Sequence, residues 1–244
     1  MYRYFTLMAI VLVTACQTQY EPLTLNAVEP RVLPDAMSNY YADTLAPILE
    51  ESCSDCHLDD PLNTGFTLIS PISDQTNFET LLVNSYSAAF TDSLTSPHPD
   101  VAEDDLAELQ AFNAMAQTYW HWQGQLDHYQ ALAQTVFEQS IEDSVIQPAC
   151  SICHRLEDDA TFNPLQVLSF YGHTKPEHGA LNSDIAFSHL IRIGNGEQLL
   201  QKALGEDHHG GGQVLVNHSP FSDALRTHAD AVEQYRTLLN QPPF

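Results

Sequence analysis

Basic residues are scarce in this 244-residue chain: eight Lys and Arg stand against 32 Asp and Glu, a formal net charge of −24, and Lys175 and Lys202 are the only lysines. A surface so acidic repels nucleic acid and anionic lipid faces, which leaves out partners of both kinds. It would steer a basic partner at low salt. At seawater-like ionic strength the screening length falls to a few ångströms, so a salt-adapted, solubilising surface accounts for the charge equally well. Long apolar runs are also lacking: the N-terminal stretch from Leu7 to Val13 falls well short of the roughly 20 residues a membrane span needs. Methionine is sparse, with Met1, Met8, Met37 and Met115 and none in the second half.

Cysteine is sparse too, at five residues, yet four of the five fall into two identical patterns. ESCSDCH carries Cys53, Cys56 and His57, and ACSICH carries Cys150, Cys153 and His154. In an oxidising compartment a close cysteine pair is usually a disulfide, but a shared spacing with histidine following each time reads as C-x-x-C-H, the attachment site of c-type haem. Two thioethers must reach two vinyl groups on one porphyrin edge, and a histidine on the same helical turn then turns its imidazole to the iron as proximal ligand. A zinc site built from the four cysteines would leave both histidines unexplained. A thioredoxin-like dithiol would need a βαβ pattern that neither motif has around it. Two haem c groups are therefore expected, one on Cys53, Cys56 and His57, the other on Cys150, Cys153 and His154.

Laying the chain on itself at the two motifs aligns more than the motifs. Each is preceded by an aromatic and then apolar residues at helical spacing: Leu45, Ile48 and Leu49 in one half, Ile141, Val145 and Ile146 in the other. Each is followed by an apolar stretch ending in serine (TGFTLIS; NPLQVLS), an aromatic segment (NFETLLV; AFSHLIRI) and a histidine near a loop, His98 or His209. Amphipathic helices are expected from Glu103 to about Gln123 and from Ser222 to about Asn240. The fold expected is mainly α, with two tandem helical modules over 35–125 and 126–244, each wrapped round one covalently attached haem. Tyr119, Trp120, Trp122 and Tyr129 bracket their junction, as aromatic lining between haems or as ordinary packing.

The N-terminus reads as an export signal over 1–15, with one basic residue, Arg3, then the apolar run, then small residues leading into Cys16. Its ending, VTAC, resembles the lipobox of bacterial lipoproteins. That resemblance implies lipidation of Cys16, a flexible tether over 16–34, and, with Gln17 rather than aspartate next, the outer membrane of a Gram-negative envelope, facing the periplasm or the cell surface. The two modules resemble class I bacterial cytochromes c in tandem. The second is also similar to exported cytochrome c-like domains that have an aromatic-led helix, CxxCH and a late HGGG loop, often fused to sugar-oxidising or carbohydrate-associated domains. In the first module SPHP stands where HGGG would be.

Methionine is the usual distal ligand in that class, and none follows His154. For the second iron the sequence offers His173, His178, His189, His208, His209, His218 and His228. His209 is favoured, because Gly210, Gly211 and Gly212 let the backbone approach a flat macrocycle, and His208 is the alternate. For the first iron the choice lies between His98, held between Pro97 and Pro99, and Met115, whose neighbours Leu106, Leu109, Phe112 and Ala116 also fit a packed helical face. His121 and His128 receive no role.

Three functions follow. The first is an electron relay between an exported oxidoreductase, such as a dehydrogenase, and another redox partner. The second is a dihaem peroxidase-like enzyme, which needs one open iron with acid–base groups above it. The third is a carbohydrate-associated binding module. The relay is the principal expectation, since two irons with side-chain ligands on both faces leave no site for a substrate.

Overall fold

The computed structural model describes residues 35–59, 66–85, 92, 101–157, 168–172, 174–175, 177–207 and 212–244. The chain is mainly helical. It divides into two compact units, one running from Pro30 through Gln125 and the other from Leu126 through Asn240. Among the described residues no helix is long and apolar enough to cross a membrane.

In the first unit α1 (Asp35–Tyr40) runs through a wider turn, Tyr41–Leu45, into α2 (Ala46–Ser52). Tyr41, Leu45 and Leu49 recur every fourth residue, so they share one face, and all three are buried. The short α3 (Ser54–His57) carries the first cysteine motif. Helix α4 (Gln75–Asn84) starts where the Asp74 carboxylate accepts from the Thr76 N–H at 2.8 Å, and it buries Phe78, Leu81 and Leu82. Leu109, Phe112, Ala116 and Tyr119 come from α5 (Glu103–Val136). The Phe78 ring lies 5.4 Å from that of Tyr41 and 6.2 Å from that of Phe112, the centre of this core. Two polar tips are satisfied inside it: Tyr41 Oη donates to the Ile72 carbonyl at 2.5 Å, and Trp120 Nε1 to the Leu82 carbonyl at 2.8 Å.

The expected end of α5 near Gln123 is a correction, since the helix continues to Val136. The stretch after Gln123 contains no proline, its one glycine, Gly124, has open space about it, and Leu126 and Ala133 are buried. Nothing local stops the helix. It passes into α6 (Phe137–Cys150), a wide helix with i→i+5 bonding that contains Pro148 and closes with the Ser151 N–H on the Ile146 carbonyl at 2.8 Å.

The second unit continues with strand β1 (Arg155–Leu156), which pairs in parallel with β2 (Phe170–Tyr171). Then come α7 (His178–Ile193), α8 (Gly196–Leu204) and the closing α9 (Pro220–Leu239). Gly194 ends α7 in the left-handed region at φ 64°. Two residues on, a Cβ at Gly196 would stand 2.7 Å from that of Ala229, so only glycine lets α8 start this close to α9. The core gathers Phe137, Ile141, Val145 and Ile146 with Phe170, Ile185, Leu200, Leu204, Leu215 and Leu225. His228 of α9 lies tilted against Phe137 with ring centroids 5.4 Å apart, and its Nδ1–H donates to the Ala133 carbonyl at 2.9 Å.

Burial holds two imidazoles of this unit uncharged. His228 is pushed down to about 4, chiefly by burial, with the Ala133 bond opposing. His189 is pushed down to about 4 by burial first and then by Arg192, His154 and Lys202. Between pH 4 and the ordinary 6.5 the unfolded chain binds more protons than the folded one, so their stabilisation is complete above 6.5 and is lost as pH falls towards 4. The loss should be on the order of 3 kcal/mol per histidine over that window. Urea unfolding at a series of pH values should show it, and His228→Leu should roughly halve the slope. An unchanged slope in that variant would mean His228 is not buried neutral.

Candidate functional site

Both cysteine motifs fold into the same turn. In the first, the N–H groups of Cys56 and His57 donate to the Cys53 carbonyl at 3.2 and 2.9 Å; in the second, those of Cys153 and His154 donate to the Cys150 carbonyl at 3.2 and 2.9 Å. No disulfide forms among the four cysteines. The first thiol of each pair is shielded and the second stands further out, with Cys53 buried and Cys153 exposed. Burial pushes the Cys53 thiol up to about 11, with smaller contributions from Asp105 and Cys56, and the Cys150 thiol up to about 11, helped by Glu142.

After each motif the chain returns alongside it. The Leu68 N–H donates to the His57 carbonyl at 2.8 Å and the Phe170 N–H to the His154 carbonyl at 2.6 Å, which gives one short parallel pairing per unit. Two residues before each of those positions, a carbonyl meets the motif imidazole: His57 Nδ1 lies 2.9 Å from Phe66 O, and His154 Nδ1 lies 2.5 Å from Leu168 O. A carbonyl can only accept, so in both rings the proton is on Nδ1 and the lone pair on Nε2. That is the tautomer a metal-ligating histidine needs, with its other nitrogen donating to the protein.

The residues fit a covalently held haem on these observations: two thiols and one correctly protonated imidazole on a single turn, twice over. Cys53 and Cys56 with His57, and Cys150 and Cys153 with His154, are the groups that would hold it. Among the described residues no three or more His, Cys, Asp or Glu side chains are gathered as ligands for a metal ion.

Cys16, His98, His173, His208 and His209 lie outside the described residues. Met115 is half-buried against the first core, the packing its helical neighbours foretell. Tyr119, Trp120 and Trp122 belong to that same core, whereas Tyr129 packs with Phe187 and Leu190 in the second unit. His121 and His128 are exposed. Four of the seven second-half histidines can be told apart by what their nitrogens do. Arg192 Nη2 donates to His189 Nδ1 at 2.8 Å, which puts the proton of His189 on Nε2, the tautomer opposite to that of His154. His178 gives its Nδ1–H to the Gly172 carbonyl and stacks on Tyr171 at 4.8 Å. His218 is exposed at φ 58°. His228 is fully buried and its Nε2 makes no hydrogen bond among the described residues.

Two residues the sequence did not single out occupy matching places. Asn77 of α4 grips Ile69: its Oδ1 accepts the Ile69 N–H at 2.8 Å and its Nδ2 donates to the Ile69 carbonyl at 2.7 Å. Asn182 of α7 grips Tyr171 in the same way, at 2.7 and 3.0 Å. Ile69 and Tyr171 each directly follow the residue bonded to the motif histidine's carbonyl. This register differs from the sequence alignment, which pairs Ser70 with Ser169; in the structure Ser70 matches Gly172, three residues later. The two return segments vary in length, and the serines drew the alignment to a coincidental match.

The chain matches no protein-family model, no curated protein and no solved structure.

The difference in thiol environment is measurable. In haem-free protein at pH 8, Cys153 should be alkylated first, and Cys53 and Cys150 on the order of a hundredfold more slowly than an ordinary exposed thiol, because a thiol pushed up to about 11 carries that much less thiolate. Peptide mapping after timed iodoacetamide treatment reads the order. Equal rates at Cys53 and Cys153 would contradict it.

Proposed function

We propose that this chain is an exported dihaem c-type cytochrome, two tandem cytochrome c-like modules that relay electrons at the cell envelope between an exported oxidoreductase and a further redox partner. The observation that carries this reading is the doubled motif in which each histidine gives its Nδ1 proton to a carbonyl of the returning segment. When bound, haem supplies a one-electron iron couple. The protein's part is to attach, orient and shield. Cys53, Cys56, Cys150 and Cys153 provide thioether links. The Phe66 and Leu168 carbonyls hold the His57 and His154 rings through Nδ1, which would make Nε2 the stronger donor to an iron, favour its ferric state and lower its potential.

Distal ligation by His98 and His209, with Met115 and His208 as alternates, belongs to the same proposal, as does anchoring to the outer membrane through a lipidated Cys16. Side chains on both faces of each iron would leave no place for a substrate, which makes the chain a carrier. Its acidic surface suits a basic redox partner at low salt.

Expression with cytochrome c maturation machinery should give two haems per chain by pyridine haemochrome, falling to one in the Cys53→Ala/Cys56→Ala double variant. Low-temperature electron paramagnetic resonance of the oxidised protein should show two low-spin ferric signals, with one turned to high spin in His98→Ala and the other in His209→Ala. A high-spin signal already present in the parent would mean an open iron and would shift the reading to a peroxidase-like enzyme.

A further inference from the structure

We infer that Asn77 and Asn182 are positioning residues for the two motif histidines, an inference that rests on the haem-attachment reading above. Each asparagine is almost wholly buried, at 1% and 0% exposure, and each uses both ends of its amide on the backbone of one residue, as an adjoining strand would. The gripped residue is three positions beyond the carbonyl that meets the histidine's Nδ1, with the pairing to the histidine's own carbonyl between them. The returning segment is therefore held at two neighbouring points, one on the motif and one on the asparagine. The carbonyl that sets the imidazole's tautomer and direction lies on that same segment, three residues before the gripped one. An unheld segment would let that carbonyl drift, and the Nδ1 bond would lengthen.

Two independent arrangements support the role. In the first unit Asn77 Nδ2 also reaches the carbonyls of Pro71 and Ile72, at 3.2 and 3.1 Å. In the second, Asn182 Nδ2 reaches Glu142 Oε1 at 2.8 Å, and Gln147 Nε2 donates both to that oxygen at 2.8 Å and to the Tyr171 carbonyl at 2.9 Å. The supporting cast differs between the units, yet the amide's grip on one backbone residue is the same. What recurs is the contact that fixes the segment, rather than a general filling of space.

The test uses the fully matured protein, with haem content, the g values of each ferric signal and the midpoint potential of each haem as readouts. Asn182→Ala should move the g values and raise the midpoint of the second haem alone, because a weakened Nδ1 bond makes the imidazole a poorer donor. Asn77→Ala should do the same to the first haem alone, and in each case the untouched module is the internal control. Gln147→Ala removes the neighbouring donor to the same Tyr171 carbonyl while leaving both ends of the Asn182 grip, and should leave the second haem's values near the parent's. Should Asn182→Ala fail to accumulate, the Asn77→Ala variant carries the same comparison in the first module.

If both alanine variants hold two haems with unmoved g values and midpoints, and only their resistance to urea falls, the asparagines merely pack and the inference is overturned. If the parent itself attaches no haem, both the reading and the inference fall, so the two failures are told apart by the haemochrome alone.

Discussion

The hydrogen bond from the Nδ1 of a motif histidine to a carbonyl of the returning chain is the constraint on which each unit is organised. It settles which nitrogen of His57 and of His154 bears the proton. It also keeps a later segment alongside the motif, and among the described residues each unit shows one short parallel pairing there.

The apolar cores serve that geometry. In the first, Tyr41 of the leading helix meets Phe78 of α4 and, through it, Phe112 of α5. In the second, Phe137 meets Phe170, on the return strand itself, and His228 of the closing helix. An aromatic at the start of the leading helix thus binds the first and last elements of a unit to its middle. The helix that carries the motif can then hold its turn while the histidine's partner arrives from further along the chain.

Much of this was legible in the residues. Helical spacing located the leading helices and their buried faces, since Leu45, Leu49, Ile141, Val145 and Ile146 all point inwards. The packing of Met115 followed from its neighbours. The end of α5 did not, because a helix stops where something stops it, and Gly124 alone is too weak a breaker. Asn77 and Asn182 were hidden for another reason: their partners are backbone groups, which carry no sequence signature, and they stand at unequal distances from their motifs. Comparing the units in space brings them into line at once.

The shielded thiols have a consequence for the life of the chain before anything is attached to it. A disulfide forms by attack of a thiolate, and the member of each pair that burial keeps protonated, Cys53 or Cys150, is a slow attacker at neutral pH. In an oxidising milieu each CxxC would otherwise close on itself and be lost to any later chemistry. The same burial that makes these sulfurs part of a core would slow the step in which each attacks its partner, so either pair would close more slowly than two exposed thiols.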